Sequence, residues 1–166
     1  MSVDNNDRAI AVWLLLCALL VFAMVILGGV TRLTGSGLSM VNWHPIHGVV
    51  PPLNEAEWLE EFANYQQSPE FIKINRHMTL DGFKRIFYFE YSHRMLGRFI
   101  GLAFLLPFLF FYFTRRIKQG LTPRLLLMFV LGGLQGLLGW YMVKSGLVDN
   151  PHVSQYRLTA HLILRS

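Results

Sequence analysis

Three long apolar runs limit what this chain can fold into. From residue 9 to residue 30 about 22 residues carry no charge, which is enough helix to cross a hydrocarbon core of roughly 30 Å. Two further apolar runs extend from about residue 86 to 113, with charged residues confined to its first half, and from about 125 to 143, which has none. With 53% hydrophobic residues and a mean hydropathy of +0.38, the 166-residue chain is too apolar for an ordinary soluble domain. The sequence therefore predicts an all-α membrane protein.

A fourth apolar run begins near residue 154, after Pro151. Only about 12 residues, roughly 18 Å of helix, remain before Ser166, which is short of a full crossing. We therefore expect residues 1–166 to form an antiparallel bundle, the N-terminal four-helix half of a larger membrane protein, with its fourth helix truncated. The first run is followed by Thr31-Arg32-Leu33 instead of a small-residue cleavage pattern, so we interpret it as a retained span.

Charge placement predicts the orientation of these spans. Cytoplasmic loops of membrane proteins are enriched in Lys and Arg, and the link between the second and third runs carries Arg115, Arg116, Lys118 and Arg124. That link and the N-terminus should face the cytoplasm, while residues 31–85 face the other side. Because topology accounts for the basic residues, we predict membrane lipid as a partner and no nucleic acid.

The outer segment, residues 31–85, is too long to be a structureless loop, and it carries signals for helix starts. Asn54 followed by Glu57 is typical of a capping box, Pro69 suits a first helical position, and Thr79 suits the cap of the helix that becomes the second span. We therefore predict short amphipathic helices over the outer mouth of the bundle.

Glu90, His93 and Arg94 stand where the second span begins. Ionisable groups at the mouth of a membrane helix are costly, so they indicate a functional site. His161 lies at the matching depth of the fourth run, since both helices start on the outer side. Two imidazoles on facing helices can bind heme iron axially. The alternative is that each histidine only forms hydrogen bonds across the bundle or relays protons.

Glu90 is a candidate catalytic residue, because a carboxylate in a low-dielectric pocket is either neutral or paired with a cation such as Arg94 or Arg98. Arginine can also form bidentate contacts with heme propionates. The candidates for those contacts are Arg32, Arg94, Arg98 and Arg157. Snorkelling at the membrane interface is the alternative explanation for each of them.

Gly97 and Gly101 form a G-x-x-x-G pair, which indicates close helix packing or the close approach of a flat macrocycle to the backbone. His44 and His47 flank Pro45, which disfavours a regular helical pair, and no cysteine or carboxylate lies beside them. Their role is left open, and the two remaining histidines, His77 and His152, are expected in loops or at the surface.

Several motifs together resemble the heme A synthase family, in the branch shared by proteobacteria and mitochondria. The matching segments cover nearly the whole chain: Gly28-Gly29-Val30-Thr31-Arg32-Leu33-Thr34, Ser36-Gly37-Leu38-Ser39-Met40, Trp43-His44-Pro45, Glu90 to Arg94 with Gly97-Arg98, and Arg157-Leu158-Thr159-Ala160-His161.

This resemblance implies an eight-span enzyme of the bacterial inner membrane, built from two four-helix halves. The family oxidises the C8 methyl group of heme O to the formyl group of heme A, the cofactor of cytochrome oxidase. By resemblance, His93 and His161 are the axial pair of a first half that processes heme O, and Glu90 is the acidic residue of the oxidation. A heme b belongs to the second half, so this chain is expected to be inactive alone. Heme O synthase and cytochrome oxidase assembly proteins are the implied protein partners.

Two other functions compete with this hypothesis. One is a b-type cytochrome half that only carries electrons and uses the same two histidines. The other is a non-heme helical bundle that scaffolds oxidase assembly or moves a small solute. The types of heme in a deletion strain would distinguish the enzyme from an electron carrier.

Overall fold

The structure is a computed structural model that describes residues 5–41 and 47–146. The described helices are α1 (Asn5–Leu33), a 3-10 turn (His47–Val49), α2 (Glu55–Gln66), α3 (Pro69–Lys73), α4 (Leu80–Phe113) and α5 (Leu121–Gly146). Three of them, α1, α4 and α5, are long and apolar enough to cross a membrane. The prediction of an all-α membrane helix bundle is therefore confirmed. The predicted fourth helix lies outside the described residues.

Contacts along α1 and α4 run in opposite order, so the two helices are antiparallel. Near the start of α1, Trp13 packs on Phe104 and Phe111, with ring centroids 5.2 and 5.7 Å away. Near its end, Gly28 faces His93. Lys118, in the link between α4 and α5, forms an ion pair with Asp7. The N-terminal end of α1 and the basic link therefore lie on the same side of the bundle.

Pro107 lies inside α4 and has no N–H to donate to the carbonyl of Ala103, one turn earlier. The indole Nε1–H of Trp13 donates to that carbonyl at 2.9 Å, across the interface with α1. Cys17 lies beside the same carbonyl, with its sulfur 3.9 Å away. A polar group that the proline leaves without an intrahelical donor is thus satisfied by the neighbouring helix.

An aromatic cap covers the outer end of α4. The side chains of Trp58 and Tyr65 from α2 pack on Phe83 and Phe87, and all four are buried. The capping box at the start of α2 is present, since the Glu57 N–H donates to the Asn54 side chain at 2.9 Å. We call residues 34–41 and 47–73 the outer cap.

Helix α4 begins at Leu80, inside the predicted outer segment 31–85, because Thr79 caps it. The Gly82 N–H donates to the Thr79 hydroxyl at 3.3 Å. With 34 residues α4 is roughly 51 Å long, well beyond a hydrocarbon core of about 30 Å. Its outer turns therefore extend from the membrane into the cap.

Candidate functional site

Glu90 lies in α4 where the outer cap meets the bundle, and only 2% of it is exposed. Its Oε2 accepts hydrogen bonds from the Ser39 hydroxyl at 2.7 Å and from the Met40 N–H at 2.8 Å. Its Oε1 forms a salt bridge with Arg94, one turn further along the helix. Both carboxylate oxygens are therefore held by donors, which fixes the side chain in one position.

The segment that supplies these donors turns back sharply after α1. Gly35 has a φ of +62°, a left-handed conformation that glycine adopts without steric cost. The Ser36 N–H then donates to the Thr31 carbonyl at 2.8 Å, and the Thr34 and Ser36 hydroxyls lie 2.6 Å apart. These bonds fold the chain onto α4, and they bury Ser39 completely beside Glu90.

Arg94 connects the same two elements as Glu90. Besides its salt bridge, its Nη2 donates to the Met40 carbonyl at 3.3 Å. The Met40 N–H thus donates to the Glu90 carboxylate, and the Met40 carbonyl accepts from the Arg94 guanidinium. Of the two arginines expected as the cation beside Glu90, Arg94 and Arg98, it is Arg94 that forms the salt bridge.

His93 is half-buried one turn from Glu90, on the side of α4 that faces α1. A Cβ added to Gly28 would lie 3.1 Å from the imidazole Nε2 and 3.5 Å from its Cδ2. Gly97 also faces α1, where an added Cβ would lie 3.0 Å from the terminal methyl of Met24. In the described part of the chain, Gly97 is therefore a close-packing position.

Arg98 lies beside the 3-10 turn of the outer segment. Its Nη1 is 3.6 Å from the Met95 sulfur, and its Nη2 would lie 3.7 Å from a Cβ at Gly48. The Tyr91 hydroxyl donates to the Val49 carbonyl at 2.6 Å and holds the same turn against α4. The guanidinium of Arg98 is therefore at the bundle mouth, near the residues that close over it.

The structure thus brings Glu90, His93 and Arg94 together on consecutive turns of α4, with Gly97 and Arg98 on the next turn. Arg32 is exposed at the end of α1, and no described contact joins it to this group. Three of the predicted positions, His44, Arg157 and His161, lie outside the described residues, as does His152. Of His47 only the backbone is described, and His77 is exposed as expected.

Two contributors were missed by sequence reasoning. Ser39 contacts Glu90 across 51 positions of the chain, and no helical period connects an irregular segment with a distant helix. Gly28 was noted only within a motif, and its contact with His93 depends on the register between α1 and α4. The motifs at 28–34 and 36–40 gave the only sequence signal for these contacts.

A second buried carboxyl, Glu70, lies in the cap and outside the membrane-spanning helices. It is 6% exposed, and its Oε2 has no hydrogen-bond partner among the described residues. Burial, followed by the charge of Glu90, raises the pKa of Glu70 to about 7, although a hydrogen bond with Tyr65 acts in the opposite direction. Burial likewise raises the pKa of Tyr65, whose hydroxyl accepts a bond from the Asn75 amide at 2.8 Å.

No group of three or more potential metal ligands occurs within residues 5–41 and 47–146. The site instead offers one imidazole, two guanidinium groups and a fixed carboxylate at the outer mouth of an apolar bundle. An imidazole suits a heme iron, and guanidinium groups suit carboxylates such as propionates.

Curated proteins similar to this chain include several named heme A synthase. The relative from Nitrosospira multiformis is 59% identical over 94% of this chain, and that from Parvibaculum lavamentivorans is 57% identical over 96%. The relative from Mesorhizobium japonicum is 55% identical over 97%. The chain spans 44–46% of the length of these three relatives, a little under half.

No solved structure matches the chain. A family model described as cytochrome oxidase assembly protein matches residues 11–165, which is nearly the whole sequence. Because this match covers far more than half of the sequence, the chain belongs to the cytochrome oxidase assembly protein family.

Proposed function

We propose that this chain is the substrate-processing part of a heme A synthase, an oxidoreductase that converts heme O to heme A by oxidising the C8 methyl group to a formyl group. The observation that carries the proposal is the 55–59% identity to proteins of that name over at least 94% of the chain. The activity is assigned to the whole protein, of which this chain corresponds to a little under half.

The side chains at the bundle mouth suit a heme. His93 offers an imidazole at the interface of α1 and α4, where its Nε2 edge lies against Gly28. We propose that His93 and His161 would hold the heme iron and that Arg98 would contact a propionate, with His161, Arg157 and Arg32 assigned on sequence alone. When bound, heme O supplies the methyl group that is oxidised and a redox-active iron.

We propose that Glu90 acts as a fixed charge beside the reacting group. Three donors and almost complete burial hold its carboxylate in place, and preorganised charge stabilises a transition state without reorganisation. Arg94 is then primarily the partner of Glu90, and its predicted contact with a propionate is secondary.

We also propose a bacterial inner-membrane location with the N-terminus in the cytoplasm. The ion pair between Lys118 and Asp7 supports this topology, because it brings the N-terminal end of α1 to the same side as the basic link. Heme O synthase and oxidase assembly proteins are the proposed protein partners.

The test of the enzyme assignment is Glu90→Ala in the protein expressed from its complete gene, in a strain that lacks its own copy. We expect heme A to disappear from the membranes and heme O to accumulate, while heme remains bound to the variant. Extraction and chromatography of the hemes measure both. Glu60→Ala, which removes an exposed carboxylate of α2, is the matched control and should leave heme A formation unchanged.

Unchanged heme A formation in Glu90→Ala would contradict the proposed role of Glu90. Unchanged heme types in the deletion strain itself would contradict the enzyme assignment and favour an electron carrier. The absence of any Soret absorbance in the purified protein would instead favour a scaffold without heme.

A further inference from the structure

Two adjacent glycines near the end of α1 differ in what they face. A Cβ at Gly28 would lie 3.1 Å from His93 Nε2, closer than an ordinary van der Waals contact, whereas a Cβ at Gly29 would meet nothing within 4 Å. Neither residue has a positive φ, so the backbone itself would accept a side chain at both positions. Only the available space distinguishes them.

We propose that Gly28 is a positioning residue for His93. By lacking a side chain, it keeps room for the imidazole edge that carries Nε2, the nitrogen opposite the point of attachment to the backbone. The inference rests on the proposed role of His93 as a heme ligand, and it adds a requirement from α1 to a site whose described side chains lie mainly on α4.

The cost of glycine at this position supports the inference. Glycine within a helix is less favourable than alanine by roughly 0.5–1 kcal/mol, so propensity alone would favour a larger residue at position 28. No described contact requires a glycine at position 29, while position 28 has a neighbour that an alanine methyl would press against. That neighbour is the candidate ligand itself.

An alanine at position 28 could be accommodated only if the imidazole moves or the helices separate. Separation is opposed by the packing of α1 on α4 near this position, where Met24 meets Gly97. At Gly97, by contrast, the facing atom is the end of the flexible Met24 side chain, which can shift. The imidazole is a rigid ring, so we expect it to rotate away from its position.

The experiment compares Gly28→Ala with Gly29→Ala and His93→Ala, each in the protein expressed from its complete gene. Membranes are normalised to protein by immunoblot, and heme ligation is measured by electron paramagnetic resonance and by reduced-minus-oxidised spectra. The component lost in His93→Ala defines the signal of this site. We expect Gly28→Ala to lose most of that low-spin component or convert it to high spin, and Gly29→Ala to retain it.

Full retention of the component in Gly28→Ala would overturn the inference, and so would equal losses in the two glycine variants. Both results leave the heme assignment intact, because His93→Ala still defines a signal. An unchanged spectrum in His93→Ala would overturn the heme assignment and this inference together.

Poor accumulation of Gly28→Ala has its own test, the double variant Gly28→Ala with His93→Ala. Removing the imidazole removes the proposed obstruction, so recovery of the protein level to that of His93→Ala supports the contact. Continued failure of the double variant to accumulate overturns it.

Discussion

The outer and inner parts of α4 are held by different kinds of contact. At the outer end, Phe83 and Phe87 pack in the aromatic cap, and the buried Glu90 is held by polar groups from the cap segment and by Arg94. At the inner end, Phe108 and Phe111 pack on α1, and the bond from Trp13 to the Ala103 carbonyl is the main polar contact described there.

This difference shows where along α4 a charged side chain can be buried. In the inner part the surrounding side chains are apolar, and the bond from Trp13 serves the helix backbone at a proline. In the outer part the cap supplies donors and excludes water, so a carboxylate can be buried with its charge compensated. One helix therefore contributes a membrane anchor at one end and a candidate chemical site at the other.

Arg94→Ala should produce the largest change, because it leaves the buried Glu90 carboxylate without its cation. Breaking a buried ion pair from one side costs about 3–5 kcal/mol of unfolding free energy. Thermal unfolding in detergent measures the loss. Arg85→Ala removes an exposed arginine from the same helix and should have little effect. Equal effects of the two changes would show that the outer end does not depend on this pair.

Glu70→Gln tests whether burying the ionised Glu70 carboxylate in the outer cap lowers the free energy of unfolding. The pKa of Glu70 in the folded protein, about 7, lies above the ordinary value of 4.5. Protonated Glu70 therefore contributes its full stability below pH 4.5, and this contribution is lost as the pH rises through 7. The loss corresponds to about 3 kcal/mol. Glutamine resembles the protonated acid, so the variant should lack this decline and be more stable than the parent at pH 8.

Unfolding midpoints measured between pH 4.5 and 8 check this expectation. Glu60→Gln, at an exposed position of α2, is the control and should keep the decline seen in the parent protein. An identical pH profile for Glu70→Gln and the parent would contradict a costly buried charge at this position.

Trp13→Phe should have the smallest effect and should act only on the inner end. The Ala103 carbonyl loses its donor while the aromatic packing is largely kept, which costs about 1 kcal/mol. Pro107→Ala supplies a backbone N–H to the same carbonyl, so Trp13→Phe should cost less in that background. Unfolding midpoints of the two single variants and the double variant measure the coupling. Strict additivity would contradict the proposed relation between the tryptophan and the proline.

Features that repeat along one helix were predictable from sequence. Phe83, Phe87 and Glu90 follow one another at steps of four and three residues, a spacing that places them on one helical face, and all three are buried. The spacing of four residues between Glu90 and Arg94 allowed their ion pair, which the structure contains. The capping box at the start of α2 could be read directly, because each signal lies within a few residues of its partner.

Features that join distant segments were not predictable in the same way. The G-x-x-x-G pair predicted a close approach at Gly101 as well as at Gly97, but Gly101 is exposed, and nothing described lies within 4 Å of a Cβ at this position. The bonds from Ser39 and Met40 to Glu90 depend on how an irregular turn folds back on a helix that begins about forty residues later. Such contacts depend on tertiary packing, for which one sequence carries no periodic signal.

The antiparallel register of α1 and α4 links the two ends of the bundle through a single rigid element. Trp13 meets Ala103 at one end of α1, and Gly28 meets His93 at the other. Inserting or deleting one residue between them would turn one end relative to the other by about 100°. Helix α1 could then keep the bond from Trp13 to Ala103 or the contact of Gly28 with His93, but not both. The number of residues between Trp13 and Gly28 therefore matters as much as their identity.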